Sequence, residues 1–318
     1  MKILEKKILD KIDESRDVLI VCHRNPDADT IGAAAAFFYH CQTKKKNVVC
    51  FCADLTPESL KETRLVLINS ILENELNKFQ TIVCLDCGEI KQTGIADLIM
   101  NRDKTSTLIN IDHHFTNNNY GDINIVKPES SSTSEIVYRL FKNNLIKLDK
   151  GSLNSLLTGI ISDTTFFSNA ATTQASMEIS SELMSRGARI KAALQSLWKN
   201  KNFKTLKFWG RVFSGLKYNE KYKIAFAAVT EKDLADNFVD DDSVNGIANF
   251  LMNLYQPNII VVLRETGEGK IKGSIRTTKD NIDVSKLAMA LGGGGHRRAS
   301  GFTLDGKIIK EDGHWRVV

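Results

Sequence analysis

Seven side chains able to hold a cation or move a proton fall at three places in the chain. His23, Asp27 and Asp29 share one short loop in Cys-His-Arg-Asn-Pro-Asp-Ala-Asp-Thr-Ile-Gly, Asp86 follows an apolar run, and Asp112, His113 and His114 are consecutive. Pro26 fixes φ in the first loop, and Gly32 lets a helix pack closely behind it. Taken singly, each residue has an ordinary reading, because Asp often caps a helix and a lone His is usually a satisfied structural residue. Taken together they do not, since clustered carboxylates repel one another and are costly to bury without cations. Mixed imidazole and carboxylate ligation suits Mn²⁺, Mg²⁺ or Zn²⁺ better than Ca²⁺, and the donors exceed the needs of one ion. Two ions about 3.5 to 4 Å apart activate a water and stabilise a leaving oxygen, which is the chemistry of phosphoester hydrolysis.

The elements that must bring these loops together are legible as a rhythm. Short Val-, Ile- and Leu-rich runs at Val18–Cys22, Val48–Cys52, Thr81–Asp86 and Thr107–Ile111 read as strands, with helical patterns between them. Alternating strands and helices imply an α/β fold with a parallel sheet and flanking helices, in which strand carboxyl ends share one edge. The three groups should therefore converge on one crevice. After Asp122 the pattern turns helical: Ser132-Thr-Ser-Glu135 reads as a capping box opening a helix through Phe141, and another helix begins at Ser152. A basic stretch around Ala188–Phe213 has helical periodicity and suits a connector. A second region, with strands from Tyr222, at Ile259–Arg264 and at Lys270–Arg276, a hairpin turn between the last two and a helix at Ser243–Leu254, suggests a smaller α/β unit with a mixed sheet. The expected divisions are 1–188, a helical linker 189–221, and 222–318.

Composition bounds the rest. At 318 residues, the chain suits about two domains. With 42% hydrophobic and 25% charged residues it reads as globular, neither disordered nor fibrous. No apolar run approaches the roughly 18 residues of a membrane span, and the N-terminus lacks the pattern of a signal peptide, so a cytoplasmic protein with no membrane partner is expected. Six cysteines are too few for a disulfide scaffold. Cys50/Cys52 and Cys84/Cys87 could in principle bind zinc, but both pairs sit in strand-like apolar runs without the turn residues of a zinc knuckle, so buried thiols are expected. The net charge of +5 is modest; it is concentrated between Arg186 and Lys223, where eleven Lys or Arg accompany one acid. Such a run is usually a solvated face, although it can attract a polyanion.

Near the C-terminus, Leu-Gly-Gly-Gly-Gly-His-Arg-Arg-Ala-Ser-Gly-Phe joins backbone amides to cationic side chains, a combination suited to a phosphate. Gly293, Gly294 and Gly295 are the candidate amides of an open loop, and His296, Arg297 and Arg298 the candidate cations. Arg276, at the end of a strand, could add a bidentate contact. Ser274 and Ser300 are further candidates.

His23-Arg-Asn-Pro-Asp-Ala-Asp29, Leu85-Asp86-Cys-Gly88, Asp112-His-His114 and Gly159-Ile-Ile-Ser-Asp163-Thr, with Gly292-Gly-Gly-Gly-His296 after them, resemble the ordered motifs of the DHH phosphoesterases that carry a DHHA1 domain, including the nanoRNase/pAp phosphatases. The resemblance spans nearly the whole chain. It implies a DHH catalytic domain followed by a DHHA1 substrate-binding domain. It also implies one metal on His23, Asp27 and Asp86, and a second on Asp29, Asp86, His113 and Asp163, with Asp86 bridging. His114 would contact the scissile phosphate and Asp112 would orient the neighbouring imidazoles. Asp163 enters the set through this resemblance alone. Ala33 stands where relatives commonly carry Ser, and the glycine run is one residue longer than the minimal motif; neither removes a metal ligand.

The chain is therefore expected to be an enzyme, a metal-dependent phosphodiesterase and phosphatase with two divalent ions, Mn²⁺ ahead of Mg²⁺. Its expected substrates are short single-stranded RNAs cut to mononucleotides and pAp losing its 3′-phosphate, by water that two ions activate. A phosphodiesterase of cyclic dinucleotides or linear pApA shares every metal motif and is the alternative. An inorganic pyrophosphatase lacks this Gly-rich His motif, and RecJ-like exonucleases are longer. A non-catalytic nucleotide-binding regulator would need a broken metal set. A homodimer through helices of the first domain is compatible with the sequence, although no specific pattern supports it, and neither cleavage direction nor preferred length is specified.

Overall fold

The computed structural model describes residues 2–54, 65–169, 171–198, 203–239, 241–244, 246–254, 257–267, 269–311 and 314–318. The side chains of 2, 196, 198, 241, 242, 249, 253, 254, 296 and 314 lie outside that description. The chain divides into two compact units, Met1–Lys199 and Asn200–Val318. Among the described residues, no helix is long and apolar enough to cross a membrane.

The first unit is built on a six-stranded parallel sheet. In chain order its strands are β1 (Asp17–Cys22), β2 (Asn47–Phe51), β3 (Leu67–Ile68), β4 (Thr81–Leu85), β5 (Thr107–Asp112) and β6 (Ile123–Val126), and in space they run β3-β2-β1-β4-β5-β6. The helices are α1 (Lys2–Glu14), α2 (Ala28–Thr43), α3 (Glu73–Leu76), α4 (Ala96–Met100), α5 (Thr133–Asn143), α6 (Lys150–Asp163), α7 (Gln174–Ser185) and α8 (Ile190–Trp198). Strand residues alternate between two apolar layers. Ile20, Val83 and Ile109 pack with α2, α5 and α6, whereas Leu19, Ile82 and Leu108 pack with Leu76 of α3 and Ile99 of α4. Burial on both faces explains why these strands read as continuous apolar runs. The chain leaves β1 for β2 on one side and returns to β4 on the other, so the strand order reverses at β1/β4. Diverging connections open a crevice at the carboxyl ends of such a pair.

The second unit begins with α9 (Phe203–Ser214) and carries β7 (Lys217–Asn219), β8 (Ile224–Val229), α10 (Glu231–Asn237), α11 (Ile247–Leu254), β9 (Ile259–Thr266), β10 (Lys270–Arg276), α12 (Val284–Ala290), β11 (Gly294–His296), β12 (Ala299–Asp305), β13 (Ile308–Glu311) and β14 (His314–Val317). Its sheet runs β11-β12-β10-β9-β8-β7, with only β8 and β9 parallel, and β13 and β14 form a separate hairpin. This is the mixed sheet the sequence predicts. Trp209 of α9 anchors the helix to this unit, with Nε1–H donating to the Ser243 carbonyl at 2.6 Å.

Several local expectations change. The stretch Ala188–Phe213 is two helices, α8 in the first unit and α9 in the second, and residues 199–202 between them lie outside the described residues. Its described Lys and Arg side chains are exposed, as on a solvated helix face. In the first unit two strands go unpredicted: β3 has only two residues, and β6 alternates buried and half-buried positions in a four-residue edge; in the second unit β7, β11, β12, β13 and β14 go unpredicted. The capping box is half formed. Ser132 Oγ accepts from Glu135 N–H at 3.1 Å, but the Glu135 carboxylate turns to the N–H and hydroxyl of Ser131. The second half of the glycine run enters an edge strand, β11, rather than staying an open loop, with Gly294 opposite Gly301 and Gly295 opposite Ser300.

Candidate functional site

Asp27 caps α2, its Oδ1 accepting from the backbone N–H of Asp29 at 2.9 Å and of Thr30 at 3.1 Å. An Asp at this position satisfies helix N–H groups that would otherwise lack partners. Asp29, in the first turn of α2, is fully buried. Its carboxylate accepts from the opening of α5, Oδ2 from Thr133 N–H at 2.6 Å and Oδ1 from Ser134 N–H at 2.8 Å. Asp86, immediately after β4, has a left-handed backbone (φ 60°), a conformation Asp tolerates better than most side chains. Its carboxylate accepts from the Thr133 hydroxyl at 2.9 Å. Gly159 of α6 is where that helix passes this knot: a Cβ there would overlap Ser134 Oγ and come within 2.9 Å of Asp29 Oδ1.

The three imidazoles share one design. His23 Nδ1 lies 2.6 Å from the Arg24 carbonyl, which leaves Nε2 3.6 Å from Asp27 Oδ1 and 3.5 Å from Asp86 Oδ2. His113 Nδ1 lies 3.4 Å from the Ser130 carbonyl, and its Nε2 is 3.5 Å from Asp86 Oδ1 and 3.3 Å from Asp163 Oδ2. His114 Nδ1 meets Asp112 Oδ1 at 2.7 Å and lies 3.7 Å from Asp86 Oδ1. Anchoring one ring nitrogen on a carbonyl or carboxylate fixes the tautomer and aims the other, as in metal-ligating histidines.

Three sets bring their donor atoms within 4.8 Å of one another: His23, Asp27 and Asp86; Asp86, His113 and His114; and Asp29, His113 and Asp163. Asp86 belongs to two of them and presents a different oxygen to each side. The electrostatics fit divalent cations. Burial, with the charges of Asp86 and Asp27, pushes the Asp29 carboxyl well above its ordinary range, and burial with Asp29, Asp27 and Asp86 does the same to Asp163. A carboxylate cluster that favours protons in this way gains most when metal charge replaces them. Burial also pushes Asp27 up, but the His23 imidazole and two backbone N–H groups overcome it and bring that carboxyl to about 2. Burial disfavours the charged form of His114, yet Asp112 and Asp86 lift its imidazole to about 9.

Asp112 is fully buried, and Asn117 Nδ2 donates to its second oxygen at 2.7 Å. The same Nδ2 lies 3.1 Å from the Cys87 carbonyl, and Asn117 Oδ1 accepts from Asn110 Nδ2 at 3.0 Å. Asn117, Thr133 and Ser134 escape the sequence reading because amides and hydroxyls carry no charge pattern; their only signal is adjacency to Asp112-His-His114 and to a helix start. The six cysteines are free and buried, and burial lifts Cys22 and Cys84 to about 12, as for inert core thiols. Among the described residues, the three sets draw on Asp and His only.

In the second unit, Arg276 ends β10 opposite Ala299, and Thr277 N–H donates to the Arg298 carbonyl at 3.0 Å, so Arg276, Arg297 and Arg298 meet at one end of the sheet. Arg276 Nη1 donates to the Ile275 carbonyl at 3.0 Å, and burial lowers its guanidinium. Arg297 Nη2 donates to the Asp280 carbonyl at 2.6 Å, while Arg298 pairs with the Asp280 carboxylate. His296 ends β11, and its side chain lies outside the described atoms. Gly293 is required where its backbone crosses β12, since a Cβ would overlap the Gly301 carbonyl and come within 2.6 Å of Phe302 Cα; Gly295 has φ 134°. Pairing with β12 uses one side of β11, and among the described residues the other side is a free sheet edge.

The N-terminal domain model of the DHH family matches residues 17–160, and the DHHA1 domain model matches 219–312. The chain is 27% identical over 289 residues to the bifunctional oligoribonuclease and PAP phosphatase NrnA of Thermus thermophilus, covering 91% of this chain and 84% of that one. It is 24% identical over 329 residues to the cyclic-di-AMP phosphodiesterase GdpP of Bacillus subtilis, covering 98% of this chain but 48% of GdpP. The crystal structure of an exopolyphosphatase-related protein from Bacteroides fragilis superposes with a TM-score of 0.86 at 24% identity, over 95% of this chain and 91% of that one, and so shares its fold. With both domain models matched in order and Asp86 at the centre of the donor sets, the chain belongs to the DHH family of phosphoesterases that carry a DHHA1 domain.

Proposed function

We propose that this phosphoesterase hydrolyses short oligoribonucleotides to mononucleotides and removes the 3′-phosphate of pAp. The observation that carries the reading is Asp86 shared between two donor sets, in a chain that aligns over 91% of its length with a bifunctional oligoribonuclease and PAP phosphatase. His23, Asp27 and Asp86 would hold one divalent ion, and Asp29, Asp86, His113 and Asp163 a second, with Mn²⁺ preferred over Mg²⁺ by this mixed donor set. The ions would neutralise the phosphoryl oxygens and make water easier to ionise at neutral pH.

The chain's own residues do the rest. Asp112 holds His114 Nδ1 and so orients the ring, His114 would donate to a phosphate oxygen, and the raised imidazole keeps that donor charged. Thr133 and Ser134 hold the carboxylates still, which lowers the reorganisation needed when substrate arrives. Arg276, Arg297, Arg298, His296 and the free edge of Gly294 and Gly295 would grip phosphate and sugar, with little base preference, whereas the Gly293 N–H is taken by the Ala288 carbonyl at 2.8 Å. The proposed division of labour is catalysis by the first unit, Met1–Lys199, and substrate binding by the second, Asn200–Val318, working in the cytoplasm.

The test is an initial-rate comparison with Mn²⁺ on a 5′-phosphorylated RNA trimer, pAp, pApA, c-di-AMP and pyrophosphate. Turnover of the trimer and pAp is expected; activity confined to c-di-AMP or pApA would move the protein to cyclic-dinucleotide turnover, the second reading, which the alignment to GdpP over 98% of this chain favours.

A further inference from the structure

We infer that Thr133 is a positioning residue that sets the plane of the Asp86 carboxylate between the two halves of the metal centre. Thr133 is fully buried at the first position of α5, where its two donors point to two different carboxylates. Its backbone N–H reaches Asp29 Oδ2 at 2.6 Å and its hydroxyl reaches Asp86 Oδ1 at 2.9 Å. Asp86 Oδ1 is also the oxygen beside His113 Nε2 and His114 Nδ1, whereas Oδ2 is the one beside His23 Nε2. A carboxylate can turn about its last bond. A hydrogen bond to one oxygen favours the plane in which the other oxygen faces the His23 side. Because the same residue holds Asp29 through its backbone, the spacing of the two carboxylates is set by one rigid helix start rather than by two independent loops. Nothing in Thr133 can ligate as well as the groups it holds: a neutral hydroxyl that already donates to a carboxylate is a poor competitor for the ion. Its contribution is therefore orientation of a ligand, of the kind that in metal sites typically changes affinity about 10- to 100-fold.

The inference rests on the metal-centre reading proposed for this site, and the experiment separates the two. Full-length protein stripped with a chelator is titrated with Mn²⁺ by calorimetry, for the wild type, Thr133→Val and Thr133→Ser. Valine keeps the shape and the backbone N–H while removing the hydroxyl; serine keeps the hydroxyl and removes the methyl. The expected result is Mn²⁺ affinity weakened about tenfold or more in Thr133→Val and restored to within about threefold of wild type in Thr133→Ser. Equal affinities in wild type and Thr133→Val would overturn the role of Thr133 alone, and so would equal weakening by both substitutions, which would mark a packing effect. Absence of Mn²⁺ binding by the wild type would overturn the metal-centre reading itself. If Thr133→Val does not fold, Thr133→Ala against Thr133→Ser makes the same comparison.

Discussion

At the crevice of the first unit, Asp29 is fully buried and accepts two backbone N–H groups, Asp86 is fixed by a hydroxyl, and each imidazole has one nitrogen tied down. At the sheet end of the second unit, Arg297 and Arg298 both rest on Asp280, whose side chain is 86% exposed. The contrast fits what each corner is proposed to bind, divalent cations in the first and phosphate in the second. A cation needs several donors at fixed distances, and errors of a fraction of an ångström weaken its binding. A phosphate offers several equivalent oxygens, so long guanidinium arms on an exposed corner can find them by small rotations. Removing a shared donor of the first region should therefore act most steeply, and removing the exposed Asp280 side chain of the second gently.

The sharpest break is Asp86→Ala, which removes a donor common to two sets. Since even a residue that only orients a ligand changes activity about 10- to 100-fold, hydrolysis of every substrate should fall by more than about a hundredfold. Steady-state rates across the substrate panel check this; retained turnover would end the shared role. Next is Asn117→Ala, which frees one Asp112 oxygen and loosens the hold on His114. The expected outcome is a fall in kcat of about tenfold or more with KM little changed, and a shifted pH–rate profile.

Arg276→Ala probes the second region. Losing a charged hydrogen bond to phosphate, about 1.5 to 3 kcal/mol, should raise KM roughly tenfold or more while Mn²⁺ affinity stays at the wild-type level. An unchanged KM on the RNA trimer would remove Arg276 from the binding corner. Asp280→Ala should change KM by less than about threefold, because exposed ion pairs contribute only about 0 to 1 kcal/mol.

The smallest effect is on stability and has a definite sign. The Asp163 carboxyl is raised in the folded protein, so between the ordinary carboxyl range and its raised value the folded form binds more protons than the unfolded chain. The contribution of Asp163 to the stability of the chelated protein accordingly falls as pH rises from about 4 through its raised value and is regained as pH returns to about 4. Asp163→Asn removes that penalty, so the chelated variant should melt about 2 °C or more above wild type at pH 7 and show no such gain near pH 3.5. A lower melting temperature at pH 7 would mean that Asp163 is held as a stabilising charge.

Much of this organisation can be read before any coordinates. Strand carboxyl ends are announced by apolar runs that stop at a charged residue, so Asp86 and Asp112 mark both where β4 and β5 end and where the chemistry begins. The edge strands β3 and β6 escape because a two- or four-residue strand has too few alternations to form a pattern. The glycine run escapes for a different reason. Four glycines signal a flexible loop, yet here two of them permit close backbone contact between β11 and β12, a tertiary demand that local sequence does not display. The groups that hold the metal-centre side chains, Thr133, Ser134 and Asn117, are likewise visible only once distant segments meet: Thr133 and Asp29 lie 104 residues apart in the chain.

Whether Asp86 stands between two divalent ions is tested most directly by anomalous diffraction from crystals soaked in Mn²⁺. Two peaks about 3.5 to 4 Å apart on either side of the Asp86 carboxylate, one beside His23 and one beside His113, are the predicted result. A single peak, or peaks that leave Asp86 uncoordinated, would contradict it.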